Sequence, residues 1–271
     1  MEELDIVIVG GGIAGLATSL ALHRKGIKSV VLERSESVRS EGAAFWIRDV
    51  LIEKGIKRRE SVGPASYGEV RGVLRNDLVR ALAHALPLGT LRLGCHILSV
   101  KLDETKSFPI VHVLIGCDGS NSVVSRFLGL NPTKDLGSRA IRGFTNYPDD
   151  HGFRQEFIRI KMDNVVSGRL PITHKLVFWF VVLRNCPQDS NFLKNQEDIA
   201  RLALASVREF SEEWKEMVKN CDMDSLYINR LRYRAPWDVL SGKFRRGTVT
   251  VGRRQYAPNG PILRTRMFGC A

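Results

Sequence analysis

The segment LDIVIVGGGIAGLATSLALHRKGIKSVVLER, residues 4–34, constrains the fold of this chain more than any other. Leu4 to Val9 is the β-branched apolar run that a parallel strand buried on both faces requires. Gly10, Gly12 and Gly15 then give the spacing GxGxxG. From Ile13 to Lys25 apolar positions recur at helical spacing, and Gly26 stands where a C-terminal cap belongs. Ser29 to Leu32 reads as a second strand, and it ends on Glu33.

Strand, glycines, helix, strand and acid in this order predict a dinucleotide-binding unit, and each residue has a physical task. Gly10 permits a tight turn, Gly12 lets the backbone approach a pyrophosphate, and Gly15 lets helix and strand pack closely. The N–H groups of Ile13 and Ala14 open the helix, where its dipole favours phosphate. Glu33, eighteen residues after Gly15, is placed to accept hydrogen bonds from ribose hydroxyls, and Arg34 beside it joins the candidate set. A glycine-rich turn in an ordinary α/β unit would need neither the spacing nor the acid.

Composition narrows the class further. With 271 residues, 44% of them hydrophobic, the chain can build one large or two modest domains. No apolar run approaches the ~18–20 residues of a membrane-spanning helix, and Glu2, Glu3 and Asp5 argue against a signal or transit peptide. Five scattered cysteines without CxxC spacing read as reduced thiols, not as a disulfide framework or metal site. A cytoplasmic location is the default expectation, with a plastid left open should upstream sequence carry a transit peptide. The net charge of +12 is spread along the chain with no basic run interleaved by aromatics, so no nucleic-acid partner is expected. A diffuse basic surface that attracts anionic nucleotides accounts for it.

Further along, Asp49 to Lys54 reads as a short helix, and LRNDLVRALAHALP as an amphipathic helix with Leu78, Leu82 and Leu86 on one face. TLRLGCHILSV and PIVHVLIGCDG read as strands, and GSNSVVSRFLGL as a turn followed by a short helix. From Ser138 the character changes. SRAIRGFTNYP, FRQEFIRIKM, VSGRLPI and HKLVFWFVVL alternate like antiparallel strands. NQEDIARLALASVREFSEEWKEMVKN reads as one long helix opened by Asn195 or Asp198, and GTVTVG as a last strand returning beside the first. The expected architecture is α/β: a Rossmann-like nucleotide-binding domain over 1–137 with 245–252 returning to it, and a sheet-rich second domain inserted over 138–240. Residues 253–271 form an irregular tail.

These segments, in this order, resemble the FAD-dependent monooxygenases of the aromatic-hydroxylase type, and within them the plant branch near salicylate hydroxylase and zeaxanthin epoxidase. The resemblance rests on the N-terminal fingerprint, on VLRNDLVRALAHALP, on VLIGCDGSNSVVSRFLGL with its Asp118-Gly119 turn, on IRGFTNYP, and on LRYRAPWDVLSGKFRRGTVTVG. It implies FAD as cofactor and NAD(P)H as reductant. It also implies molecular oxygen and a small aromatic or polyene substrate, hydroxylated or epoxidised through a flavin C4a-hydroperoxide. It places Asp118 and Gly119 near the ribityl and pyrophosphate region, and Arg75 in contact with the cofactor. The family's arginine three residues after the serine of the DG segment is Ser125 here, with Arg126 next. The protein supplies little acid–base chemistry in such enzymes, so no catalytic side chain is nominated. His23, His96 and His112 fit surface or packing roles, and Phe178, Trp179 and Phe180 fit a core strand better than a substrate pocket. Neither the substrate nor the oligomeric state leaves a motif.

The chain departs from the family twice. The stretch between Glu33 and Asp118 is short, as though a covering helix-and-hairpin region had been joined across a gap. After Gly252 the resemblance implies a GD-A-HP-P-GQG motif whose aspartate binds the ribityl chain, yet Arg253 follows. A set of synonymous codons for residues 252–271 exists whose reading from the second base gives GDANTHPMAPYLGQGCSGA. The tail is therefore expected to be an out-of-frame translation of the flavin motif, and the activity to be impaired. The alternative is a catalytically inactive FAD- or nucleotide-binding remnant, or an interaction protein.

Overall fold

The computed structural model describes residues 3–38, 43–45, 49–53, 56–60, 72–100, 110–184 and 195–252. The elements begin with β1 (Glu3–Val9), α1 (Ile13–His23), β2 (Val30–Leu32), β3 (Ala43–Phe45), β4 (Asp49–Glu53), β5 (Ile56–Glu60) and β6 (Gly72–Leu74). Next come α2 (Arg75–His84), β7 (Leu91–Arg92), β8 (Ile110–Gly116), α3 (Val123–Phe127), β9 (Lys134–Asn146), β10 (Phe157–Met162), β11 (Val165–Pro171) and β12 (Leu176–Leu183). The chain continues through α4 (Gln196–Ser206), α5 (Glu212–Lys219), β13 (Tyr227–Tyr233), α6 (Pro236–Ser241), β14 (Arg245–Arg246) and β15 (Val249–Val251). Among the described residues no helix is long and apolar enough to cross a membrane.

Two compact units divide the chain: one of residues 1–38, 82–136 and 231–271, the other of 39–81 and 137–230. In the first, a sheet of order β14-β15-β8-β1-β2-β7 is parallel except for β14. Val7 and Val9 bury against Val124, Leu128, Val249 and Val251. Ile8 turns the other way, towards Gly15 of α1. The continuous apolar run of β1 follows from this burial on both faces. Gly26, at φ +73°, turns the chain out of α1, with its N–H donating to the His23 carbonyl.

The second unit is built on the antiparallel run β9-β12-β11-β10. Alternation in β12 sends Val177, Trp179 and Val181 into a core with Ile141 and with Ile199, Ala203, Trp214 and Met217 of α4 and α5. Phe178 packs on the opposite face with Phe157 and Leu170, and Phe180 against them. The two buried indoles are satisfied: Trp179 Nε1 donates to Thr145 Oγ1 at 3.0 Å and Trp214 Nε1 to Ser167 Oγ at 2.8 Å. Arg169 lies over Phe153 and ion-pairs with Glu213, so its buried charge keeps a partner.

Several expectations are corrected. Residues 49–53 form a strand, not a helix, because they pair in parallel with β10 and antiparallel with β5. The division into units places 39–81 with 137–230, whereas the sequence predicts one domain over 1–137. The long helix is two, α4 and α5. Val207 and Phe210 both stay in the core across the turn between the two helices, where the Phe210 N–H donates to the Val207 carbonyl at 2.9 Å, and Ser211 opens α5. Asn195 takes the N-cap of α4, its Oδ1 accepting the Asp198 N–H at 2.8 Å. The strand expected over 90–100 shrinks to Leu91–Arg92, since Gly94 leaves the ladder at φ +69°. Ile97 and Val100 still pack against the apolar cluster. Finally, β15 pairs with β8 and not with β1, whose two edges are already taken by β2 and β8. The tail of residues 253–271 lies outside the described residues.

Candidate cofactor site

Because β8, β1 and β2 run parallel, their C-terminal ends open at one edge of the first unit. The chain passes from β1 to β2 on one side and returns through β8 on the other, so this is a topological switch point where such sheets take ligands. Val9 is level with Gly116 in the register and with Leu32 on the other side. The glycine loop, the Asp118-Gly119 turn and Glu33 therefore meet at one edge.

The loop is held tightly. Gly10 has φ +106°, and its N–H donates to the Leu32 carbonyl at 2.8 Å. A side chain on Gly10 would stand 2.5 Å from the Cys117 carbonyl oxygen and 2.9 Å from the Asp118 Cα. On Gly15 it would stand 1.9 Å from the Gly10 carbonyl oxygen. Both glycines are thus demanded by close backbone approach. Gly12 differs: nothing lies within 4 Å of where its Cβ would be. It is the N-cap of α1, with extended backbone and no side-chain cap. Open space therefore faces the helix start, whose first N–H groups, those of Ile13 and Ala14 included, have no partner within the helix. A cradle that a Cβ elsewhere would fill, opening onto an anion-favouring helix start, fits the pyrophosphate of a dinucleotide.

Around this loop the other candidates take their places. The Glu33 carboxylate accepts the Gly11 N–H at 2.6 Å and the Ser35 N–H at 2.9 Å. Arg34 is exposed beside it. Asp118 Oδ2 accepts the Val123 N–H at 2.7 Å, and Ser122 caps α3 through Ser125, so the turn fixes the start of that helix. Gly119 takes φ +81°. Burial, and then the Asp118 charge, push the Cys117 thiol up to about 11, so it stays protonated and is no nucleophile near neutrality. Arg75, the first residue of α2, falls in the second unit, as do Phe178, Trp179 and Phe180 of β12; Trp179 is fully buried and belongs to the core.

Sequence reasoning missed three glycines. Gly11 lies flat against Glu33, where its Cβ would be 2.9 Å from that of the glutamate. Gly116 admits Val124, and Gly252 admits the Cys117 sulfur, at 2.6 and 2.8 Å from their notional Cβ positions. Gly11 was visible as the middle of a triple glycine. The other two depend on which helix and strand come to lie beside them.

A cradle of this kind on a parallel sheet belongs to a dinucleotide-binding protein, and the family model described as FAD dependent oxidoreductase matches residues 5–88. Monooxygenase 1 of Arabidopsis thaliana is 52% identical, with 97% of this chain and 75% of the relative covered. Monooxygenase 2 of the same plant is 34% identical, with 96% and 72% covered. The chain belongs to the FAD-dependent monooxygenases. Its fold matches that of Klebsiella pneumoniae HpxO, solved in complex with FAD and uric acid, at a TM-score of 0.77 and 14% identity, covering 94% of this chain and 74% of that one. Monooxygenases act on a small-molecule substrate with molecular oxygen, of which one atom enters the substrate. The aligned stretch with Monooxygenase 1 runs over 301 positions, more than this chain's 271 residues, so that relative carries segments without a counterpart here.

Proposed function

We propose that the chain is an NAD(P)H-using FAD monooxygenase that hydroxylates or epoxidises an aromatic or polyene acceptor, with its activity impaired. The observation that carries this reading is the meeting of the glycine loop and the Asp118-Gly119 turn, where the Cβ position of Gly10 is 2.9 Å from the Asp118 Cα. A simple nicotinamide dehydrogenase needs only the first of these motifs. The 28% identity to the 3-hydroxybenzoate 6-hydroxylase of Klebsiella oxytoca, over 196 residues, favours an aromatic acceptor.

In this reading Gly12, Ile13 and Ala14 hold the pyrophosphate, and Glu33 with Arg34 flanks the adenosine ribose. Asp118 and Gly119 lie towards the ribityl chain. FAD held there would supply the redox chemistry between NAD(P)H and oxygen. The chain's own residues bind and orient it, and no side chain is asked to act as acid, base or nucleophile.

Impairment is argued from the sequence, where Arg253 stands in place of the aspartate that the resemblance implies, and from the segments of Monooxygenase 1 that have no counterpart here. The same two observations favour the second reading, a nucleotide-binding remnant without turnover. The test is an absorbance scan of the purified chain reconstituted with FAD, followed by NADH and NADPH oxidation beside Monooxygenase 1 of Arabidopsis thaliana. Weak flavin retention with slow oxidation is expected. Folded protein that stays colourless in excess FAD would leave the remnant, and oxidation at the relative's rate would refute impairment.

A further inference from the structure

We propose that Glu33 is a positioning residue that clasps the glycine loop in its phosphate-binding shape before any cofactor arrives, acting through the N–H of Gly11. The inference rests on the dinucleotide reading of this site but goes beyond a ribose contact, since it assigns the carboxylate a task within the protein. Both carboxylate oxygens are engaged by backbone donors, Oε2 by Gly11 at 2.6 Å and Oε1 by Ser35 at 2.9 Å. The Glu33 backbone is pinned as well. Its N–H donates to the Arg92 carbonyl at 2.9 Å, and its carbonyl accepts the Cys95 N–H at 2.8 Å. The glutamate is therefore a fixed post, and the loop is the part it holds.

The loop needs holding. Gly10, Gly11 and Gly12 are consecutive, and glycines lose more backbone freedom on ordering than any other residue. Gly10 sits at φ +106°, and the Glu33 Cγ lies 3.1 Å from the notional Cβ of Gly11, so the acid's stem packs on the peptide its head group bonds. The Gly11 N–H is turned towards β2, which leaves the N–H groups of Gly12, Ile13 and Ala14 for an anion. Ordering the loop in advance removes a cost that a ligand would otherwise meet on binding.

The experiment measures binding of ADP and of 2′,3′-dideoxy-ADP to the full chain and to Glu33→Ala and Glu33→Gln, with hydrogen exchange of the peptide spanning Gly11 in the unliganded proteins. A clasp predicts that Glu33→Ala weakens the dideoxy nucleotide, which has no ribose hydroxyls to lose, by about tenfold, and speeds exchange at Gly11. Glu33→Gln, which keeps one acceptor and so guards against a folding failure, should fall between. If Glu33→Ala weakens ADP and leaves dideoxy-ADP unchanged, Glu33 acts on the ribose alone and the proposal is overturned. If the wild-type chain binds neither nucleotide, the dinucleotide reading fails. The clasp is then judged on exchange, and wild-type exchange at Gly11 in both variants overturns it.

Discussion

Gly15→Ala tests whether the loop and α1 are packed as tightly as the backbone distances imply. The added methyl would stand 1.9 Å from the Gly10 carbonyl oxygen, where a carbon–oxygen contact needs roughly 3.3 Å. Loop and helix must then part by roughly 1.4 Å, the difference between those two distances. The loop has nowhere to retreat: Gly10 is bonded to Leu32 and abuts the Cys117 carbonyl. The strain falls instead on α1, whose Leu16 is fully buried. Overpacking costs 1–3 kcal/mol where flexible side chains can yield; against backbone the expectation is about 3 kcal/mol or more. Gly12→Ala is the control. It meets no atom within 4 Å, so it should cost only about 0.5–1 kcal/mol of capping preference, yet weaken nucleotide binding by intruding on the phosphate side. Urea titrations of both variants, with ADP titrations alongside, separate the two effects. Equal urea midpoints for Gly15→Ala and wild type would refute the packing argument. Equal losses of stability in the two variants would refute the division of labour between them.

Other outcomes follow from single contacts. Asp118→Ala should cost about 1 kcal/mol by uncapping Val123, whereas Asp118→Asn, which keeps an acceptor, should cost less; thermal melts compare them. The Cys117 thiol, pushed up to about 11 from 9.0 by burial and by Asp118, keeps its proton when the unfolded chain has lost it. Its contribution is complete below pH 9 and is lost as pH rises from 9 towards 11, by ~2–3 kcal/mol at most. Iodoacetamide at pH 8 should accordingly label Cys117 far more slowly in the folded chain than in urea. Trp179→Phe removes the bond to Thr145 and part of a fully buried ring, and should cost about 2–3 kcal/mol in urea titrations.

The sequence made the first unit legible where the constraint was local. A strand buried on both faces cannot hide its apolar run, and a loop packed backbone to backbone cannot avoid its glycines, so β1, α1 and Glu33 were readable. The Gly11–Glu33 bond was not, because it spans 22 residues and depends on where β2 ends beside β1. The strand at 49–53 was misread for the same reason: five residues carry no period long enough to decide, and the decision comes from β10, more than a hundred residues away. The break between α4 and α5 escaped notice because both halves keep the same apolar spacing. Val207 and Phe210, three apart and both buried, would share a face of one continuous helix as well, so the turn shows only in the backbone, where the Phe210 N–H donates to the Val207 carbonyl.

The order of strands at the cofactor edge also sets an order in time. The glycine loop is synthesised first, but the backbone it abuts is that of Cys117 and Asp118, directly after β8, whose Gly116 is level with Val9. The strand that covers β8 ends at Val251. Such distant pairing is slow, because loop closure precedes any reward. While the chain is still emerging, the fingerprint is therefore a helix start with one wall missing. A ribosome-bound chain that stops short of residue 110 should be blind to nucleotide, although it already carries the whole motif by which this family is recognised.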